Sequence, residues 1–137
     1  MIIVIPGKPV PKLRARTTRR GTYDPQHDIK NVYRTLIKLE ADKQIAEKAK
    51  LSDCSAFEVY MYFYFAPPAS WPQKRKKQAL EGKLKYTQKP DLDNLEKFVE
   101  DCANGILYPD DKDIVAQCSC KSYSETPRTV LEVKGIK

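Results

Sequence analysis

The segment Lys89–Lys97 has the side chains best suited to chemistry in this chain. It reads KPDLDNLEK, so Asp91 and Asp93 stand two positions apart and Lys97 follows four positions after the second. A second acidic pair, Asp110-Asp111, lies downstream. Carboxylates that can hold a divalent cation, with a lysine nearby to meet negative charge, are the groups that phosphodiester hydrolysis requires. The spacing therefore predicts metal-assisted chemistry on a phosphate-containing substrate.

Magnesium is the cation that this set of side chains predicts, with manganese as an alternative. Magnesium prefers oxygen ligands and keeps several waters, so a few carboxylates and a substrate phosphate suffice. Asp91 and Asp93 are expected to share the ion, and the Asp110-Asp111 turn supplies a further carboxylate if it folds back beside them. Lys97 is expected to stabilise charge in the transition state or to orient the attacking water.

These residues also have an ordinary structural explanation. Asp93 is a good N-cap for the helix that follows, and Asp93 with Lys97 then forms an i, i+4 pair worth about 0.3–0.5 kcal/mol. Asp110-Asp111 fits a simple turn. Other chemistry is excluded more firmly: neither acidic cluster has the glycine of an EF-hand loop, no P-loop motif occurs, and no histidine suits a serine or cysteine triad.

The cations cluster before the acidic segment. The chain has 25 Lys and Arg against 18 Asp and Glu, a net charge of +7, which favours nucleic acid as a partner. One basic group lies in an amino-terminal loop and another in a predicted short helix, where cations in the first turn oppose the helix dipole unless an anion is bound. The predicted DNA contacts are Lys12, Arg14, Arg16, Arg19, Arg20, Lys74, Arg75, Lys76, Lys77 and Lys89.

The length of the chain predicts a single domain over residues 1–137, in which hydrophobic periodicity indicates about four strands and two to three helices. The predicted strands are a short buried one at 2–5, an alternating one through 57–65, and two at 114–123 and 128–134. Residues 6–23 contain three prolines and are expected to be irregular. The tyrosines of the second strand either pack beneath a helix, border the site or stack on bases.

Capping residues predict where the helices begin. The predicted starts are Asp24 with Pro25, the Ser70–Gln73 capping box, and Asp93. The first helix is expected to run to about Lys50, and the third to end at Asn104-Gly105. The third helix is expected to bury an apolar stripe of Leu95, Phe98, Val99 and Cys102.

The cysteines predict a reducing compartment. No signal peptide and no run of transmembrane length is recognisable, so we expect a cytoplasmic protein with reduced thiols. Cys118 and Cys120 lack the second ligand pair of a zinc site. They are expected to fill the core, on the same side of a strand as Ile114 and Ala116.

The chain resembles the RusA family of Holliday junction resolvases. The resemblance rests on the KPDLDNL segment, Lys97 and Asp110-Asp111, on the basic amino-terminal loop from Gly7, and on Ser70-Trp71-Pro72 with the basic helix after it. It implies an α+β fold with a mixed sheet. It also implies a metal-dependent endodeoxyribonuclease of bacteria or phages that nicks opposing strands of four-way junctions as a homodimer. It also implies Asp91, Asp93 and Asp111 as essential carboxylates and Lys97 as an essential lysine, with Asp110 the second choice for the third ligand and Asp113 a further alternative.

Three functions remain open at this point. The first is a magnesium-dependent junction endonuclease in recombination and repair, the second a related nuclease on flaps, nicks or other branched DNA, and the third a non-catalytic nucleic-acid-binding protein. The acidic cluster favours the first two, because carboxylates repel phosphate unless a metal ion lies between them.

Overall fold

The computed structural model describes residues 1–137, in which four helices and a mixed four-stranded sheet form an α+β fold. The strands are β1 (Ile2–Pro6), β2 (Arg16–Thr18), β3 (Gly21–Tyr23), β4 (Ala56–Phe65), β5 (Ile114–Tyr123) and β6 (Arg128–Ile136). The helices are α1 (His27–Lys43), α2 (Ile45–Ser52), α3 (Gln73–Leu80) and α4 (Leu92–Ala103), followed by a 3-10 turn at Asp111–Asp113. The predicted fold class and main sheet are confirmed.

The main sheet has the strand order β1-β6-β4-β5. β4 pairs antiparallel with β6 and parallel with β5, which makes the sheet mixed. Strict alternation along β4 buries one face, on which the side chains are Phe57, Val59, Met61, Phe63 and Phe65. Because successive strand residues point to opposite faces, this pattern alone determines which side of β4 faces the helices.

The prediction that Cys118 and Cys120 fill the core is wrong. The pairing of β4 with β5 shifts by one residue after Phe57, which lies opposite Ile114, while the next residue of β4 lies opposite Ala116. A one-residue shift moves all later side chains to the other face of a strand. Cys118 and Cys120 therefore lie exposed, opposite Tyr60 and Tyr62.

Helices α1, α2 and α3 begin and end differently from the prediction in three places. The segment predicted as the first helix forms two helices, because α1 ends at Lys43 and α2 begins at Ile45. Asp24 does not cap α1. It accepts a hydrogen bond from the Gln26 backbone N–H and pairs with Lys30 instead. At α3 the N-cap residue is Pro72, without a side-chain cap, so the predicted Ser70–Gln73 capping box is also wrong.

Two further expectations change near the amino terminus. Residues 6–23 are not wholly irregular, because β2 and β3 form an antiparallel hairpin. β1 is not buried throughout. It is an edge strand whose Ile3 and Ile5 face the core while Ile2 and Val4 are 54% and 50% exposed. None of the helices is long and apolar enough to cross a bilayer.

The face of the main sheet opposite the core is not covered by a helix. Its central row runs Val4, Val130, Tyr62 and Cys120 across the four strands. The neighbouring rows add Ile2, Glu132, Tyr60 and Cys118 on one side and Pro6, Arg128, Tyr64 and Ser122 on the other. We call these twelve residues the open sheet face. The tyrosines do not lie under a helix: Arg128 lies over the ring of Tyr64 and the Lys134 ammonium over that of Tyr60.

Candidate active site

The amino-terminal end of α4 presents the predicted acid pair to solvent. The N-cap residue is Asp91 and not Asp93, and the Asp91 side chain makes no capping hydrogen bond. Its carboxylate is exposed and is available to an external ligand. Asp93 lies in the first helical turn, so the backbone is extended at Asp91 and helical at Asp93. The Lys89–Pro90 peptide bond before them is cis.

Lys97 lies one turn beyond Asp93 on the exposed side of α4, as predicted. Its Nζ is 3.8 Å from Asp93 Oδ2, and the two side chains are 61% and 66% exposed. An exposed pair at this separation contributes little to stability, about 0.3–0.5 kcal/mol. Little stability is therefore lost if either group turns to a substrate or a cation.

Buried contacts on its other sides hold α4 in place. Leu95, Phe98, Val99 and Cys102 are fully buried, which confirms the predicted stripe, and the ring of Phe98 packs edge-on against Tyr33. The helix ends at Asn104 as predicted, followed by Gly105 with a φ of +78°. That left-handed backbone is one that glycine adopts without strain.

Polar contacts fix the same helix to β5 and α1. The Glu96 carboxylate accepts hydrogen bonds from Gln117 Nε2, at 2.8 Å, and from the Ser119 hydroxyl. At the other end, Arg34 Nη1 donates to the carbonyl oxygens of Asp101, Cys102 and Asn104 at 2.9–3.2 Å. An arginine there satisfies carbonyls that the helix leaves unpaired and complements its dipole.

Asp111 is the most perturbed of the predicted carboxylates. Its Oδ1 atom is buried and has no hydrogen-bond partner. Burial raises the pKa of Asp111, and the negative charges of Asp101 and Asp110 raise it further. Burial also raises the pKa of Glu100, with the charges of Asp111 and Glu96 adding to the effect. Several acids are thus crowded where α4 approaches the Asp111–Asp113 turn.

These donors fit a hard cation in kind, but they do not form a complete site. A buried carboxylate oxygen without a partner is costly unless a cation or donor satisfies it. However, no three His, Cys, Asp or Glu side chains lie close enough together to hold one ion. Asp101, whose charge raises the pKa of Asp111, follows Asp91 by ten residues, which is about 15 Å along a helix axis. The structure brings Asp91 and Asp93 together at one end of α4, and Asp111 near Asp101.

Asp110 and Lys112 on either side of Asp111 are exposed, and Asp113 is partly exposed.

Two of the predicted basic residues lie beside Asp91, and the others lie elsewhere on the surface. Lys12, Lys89, Asp91 and Asn94 line a common groove, to which the amino-terminal loop is tied by a 2.8 Å hydrogen bond from the Lys12 N–H to the Asn94 carbonyl. The Lys12 ammonium itself pairs with Asp101. The remaining predicted cations lie at the surface, in the loop and β2–β3 hairpin and on α3: Arg14, Arg16, Arg19, Arg20, Lys74, Arg75, Lys76 and Lys77. Arg75 also lies 4.0 Å from the ring centre of Trp71.

A model of the endodeoxyribonuclease RusA family matches residues 6–134. The chain belongs to the RusA family. It is also 31% identical to YqaN, an uncharacterized protein of Bacillus subtilis strain 168, over 132 residues that cover 95% of this chain and 92% of YqaN. This RusA-family protein is therefore an endodeoxyribonuclease, and DNA is its substrate.

Sequence reasoning missed the polar contacts that support the acid segment, residues 91–97, of this RusA-family protein. Glu96, Gln117 and Ser119 join α4 to β5, and Lys121 binds the loop before Asp91. Their signal was present but ambiguous, because Gln117, Ser119 and Lys121 alternate along a strand as a solvent-facing row would. The shift in pairing at the start of β5 turns this row toward the helices.

Proposed function

We propose that this RusA-family protein is a magnesium-dependent endonuclease that resolves four-way DNA junctions by paired symmetric nicks in the bacterial cytoplasm. The observation that carries the proposal is the exposed group of Asp91, Asp93 and Lys97 at the end of α4. This end borders the groove lined by Lys12 and Lys89, which we call the basic groove. Lys89 in this groove and the surface cations of the loop, hairpin and α3 can neutralise a DNA backbone, and the aspartates supply oxygens for a metal ion that binds phosphate in turn.

Asp91 and Asp93 are the proposed metal ligands at the end of α4, and Asp111, with Asp110 as its alternative, is the proposed third, which has to move toward them from its place near Asp101 when the ion binds. Bound magnesium supplies a polarised phosphate and a water of lowered pKa. The residues of the chain have separate tasks. Lys97 turns from Asp93 toward the negative charge of the transition state, and the basic groove holds the strand beside Asp91.

The open sheet face supports a homodimer as the working form. It combines an apolar central row with a glutamate and an arginine in the rows on either side. A surface of this kind is complementary to itself, because a two-fold axis brings the apolar row against its copy and the two charged rows against each other. Two copies of the site related by such an axis match the symmetry of opposing strands in a four-way junction.

Cleavage of synthetic DNA with and without magnesium tests the proposal. We expect nicks at symmetric positions on two opposing strands of a four-way junction, giving ends that a ligase can join, and no cutting when EDTA is present. Equal cutting of flaps or linear duplex would instead favour a nuclease of broader substrate range. Junction binding without scission in magnesium or manganese would refute the enzymatic proposal.

A further inference from the structure

The three carbonyl groups that precede Asp91 are all held by side chains. Lys121 Nζ donates to the carbonyl oxygens of Gln88 and Pro90, at 3.0 Å each. The Tyr86 hydroxyl donates to the carbonyl oxygen between them, that of Lys89, at 2.8 Å. Loop carbonyls usually bind water, so three successive ones held by protein side chains restrict the backbone that leads into the site.

We infer that Lys121 and Tyr86 are positioning residues that fix the backbone of residues 88–90 and so hold the Asp91 carboxylate in its working place. The inference rests on the proposed function, because it gives Asp91 a reason to be held precisely. Neither residue touches the reacting atoms. Each acts through the backbone, and misplacement of a catalytic group by about 1 Å can cost about 100-fold in rate.

Lys121 is committed to this internal role and is not one of the cations that meet DNA. It projects from the helix-facing side of β5, opposite Phe63, and is partly buried. An ammonium group has three protons to donate. Two are directed to the loop carbonyls, and the group also lies 5.2 Å from the ring centre of Tyr86. The surface lysines of α3 make no such internal hydrogen bonds.

The ring of Tyr86 is held by neighbouring aromatic rings, which keeps its hydroxyl directed at the Lys89 carbonyl. Its ring stacks on Phe65 with a centroid distance of 4.3 Å and an interplanar angle of 15°, and it lies 5.0 Å from the ring of Tyr123. Burial raises the pKa of Tyr86, so the hydroxyl stays protonated and able to donate at neutral pH. Tyr123 in turn contacts Trp71, which connects the loop to the segment that opens α3.

Hydrogen exchange of the full-length protein tests the restraint without relying on activity. We expect Lys121→Met to raise exchange of the first hydrogen-bonded amides of α4, those of residues 95–98, by about tenfold because the Leu95 N–H binds the Asp91 carbonyl, and Tyr86→Phe, which keeps the ring, to raise it by less. Lys121→Arg restores two donors and is expected to recover much of the protection. Lys43→Met, which removes an exposed lysine at the end of α1, is the matched control. Unchanged exchange in Lys121→Met would overturn the inference.

Single-turnover cleavage of a four-way junction tests the consequence for the site. We expect the Lys121→Met cleavage rate at saturating magnesium to fall by about 10- to 100-fold, with junction Kd within twofold of wild type, and Lys121→Arg to recover most of the rate. A weaker Kd with an unchanged rate would make Lys121 a DNA contact and overturn the inference. A wild-type protein that cuts no junction would refute the proposed function, whereas the exchange experiment would still decide whether these side chains hold the loop.

Discussion

At the scale of single residues, Asp91 and Asp93 differ more than their spacing implies. Asp91 ends an extended segment and has an uncapped, exposed carboxylate, whereas Asp93 is inside the first turn of α4 beside Lys97. A helix N-terminus favours negative charge, so both carboxylates suit this end of α4. Their different backbone geometry means that neither can replace the other.

Asp93→Asn is expected to keep the fold and junction binding while reducing cleavage by at least about 100-fold. The amide has nearly the same size, but it removes the negative charge that a hard cation prefers. Nicking assays, with junction affinity and thermal unfolding measured in parallel, check the prediction.

Asp28→Asn is the control for that experiment. Asp28 lies in the first turn of α1, so the substitution removes the same helix-dipole interaction away from the site. We expect this variant to cleave at the wild-type rate. Full activity in Asp93→Asn, or an equal loss in both variants, would remove Asp93 from the proposed site.

At the scale of elements, the positive charge of α3 destabilises the helix by itself and suits an anionic partner. Its first turn has no acid, and Lys74, Arg75, Lys76 and Lys77 follow one another from its second residue. Only Lys77 has an acidic neighbour, Glu81, at a loose 3.9 Å. Phosphates would relieve the repulsion among the four and with the helix dipole, which supports the proposal that this helix contacts DNA.

Replacing all four α3 cations with alanine is expected to weaken junction binding and to flatten its dependence on salt. Each lost phosphate contact lowers the slope of log K against log salt by about 0.9, so a reduction of about 2–4 is expected. Fluorescence anisotropy over a salt series measures that slope.

A second quadruple variant separates the position of the charges from their number. Changing Lys38, Lys43, Lys48 and Lys50 to alanine lowers net charge equally, but these lysines belong to α1 and α2. We expect the slope of this variant to stay close to that of wild type. Identical slopes for the α3 variant and wild type would show that α3 does not contact the backbone.

At the scale of the whole molecule, the protein has two unlike sides. The helices, the acid segment and the crowded carboxylates lie over one face of the sheet, while the other face is open and carries exposed Ile2 and Val4. Apolar side chains grouped across several strands usually mark an interaction surface, whereas single exposed ones need no explanation. A homodimer through the open sheet face leaves the active site of each copy accessible.

If the proposed homodimer forms through the open sheet face, Val4→Lys is expected to convert it into a monomer. Two buried ammonium groups near a two-fold axis repel each other and lose hydration, while the exposed position of Val4 in the single chain leaves folding unaffected. Light scattering after gel filtration is expected to give twice 15.7 kDa for wild type and a single 15.7 kDa for the variant. Symmetric paired nicking should fall with it.

Val32→Lys provides the matched control, because Val32 is similarly exposed, at 53%, on α1. We expect this variant to stay dimeric. A dimeric Val4→Lys protein would exclude the open sheet face as the interface, and a monomeric wild type that still cuts symmetrically would exclude the homodimer.

Local signals in the sequence predicted much of the fold and the parts of the site that lie close together in the chain. The alternation in β4, the apolar stripe of α4 and the Asp93–Lys97 spacing were each readable because neighbours a few positions apart fix them. The predicted helix starts were wrong because capping depends on which side chain reaches the backbone. The Asp24 carboxylate binds the Gln26 N–H and the Lys30 ammonium and does not cap α1.

The amino-acid sequence by itself determined the chemical groups, their charge and the elements that bear them. Tertiary structure alone decided three things: that a pairing shift turns Cys118 outward and Lys121 inward, that Lys121 holds the loop before Asp91, and that Asp111 lies near Asp101. The physical reason is the same in each case. Periodicity is a property of nearby residues, whereas strand register and the meeting of distant side chains depend on the packing of the whole chain.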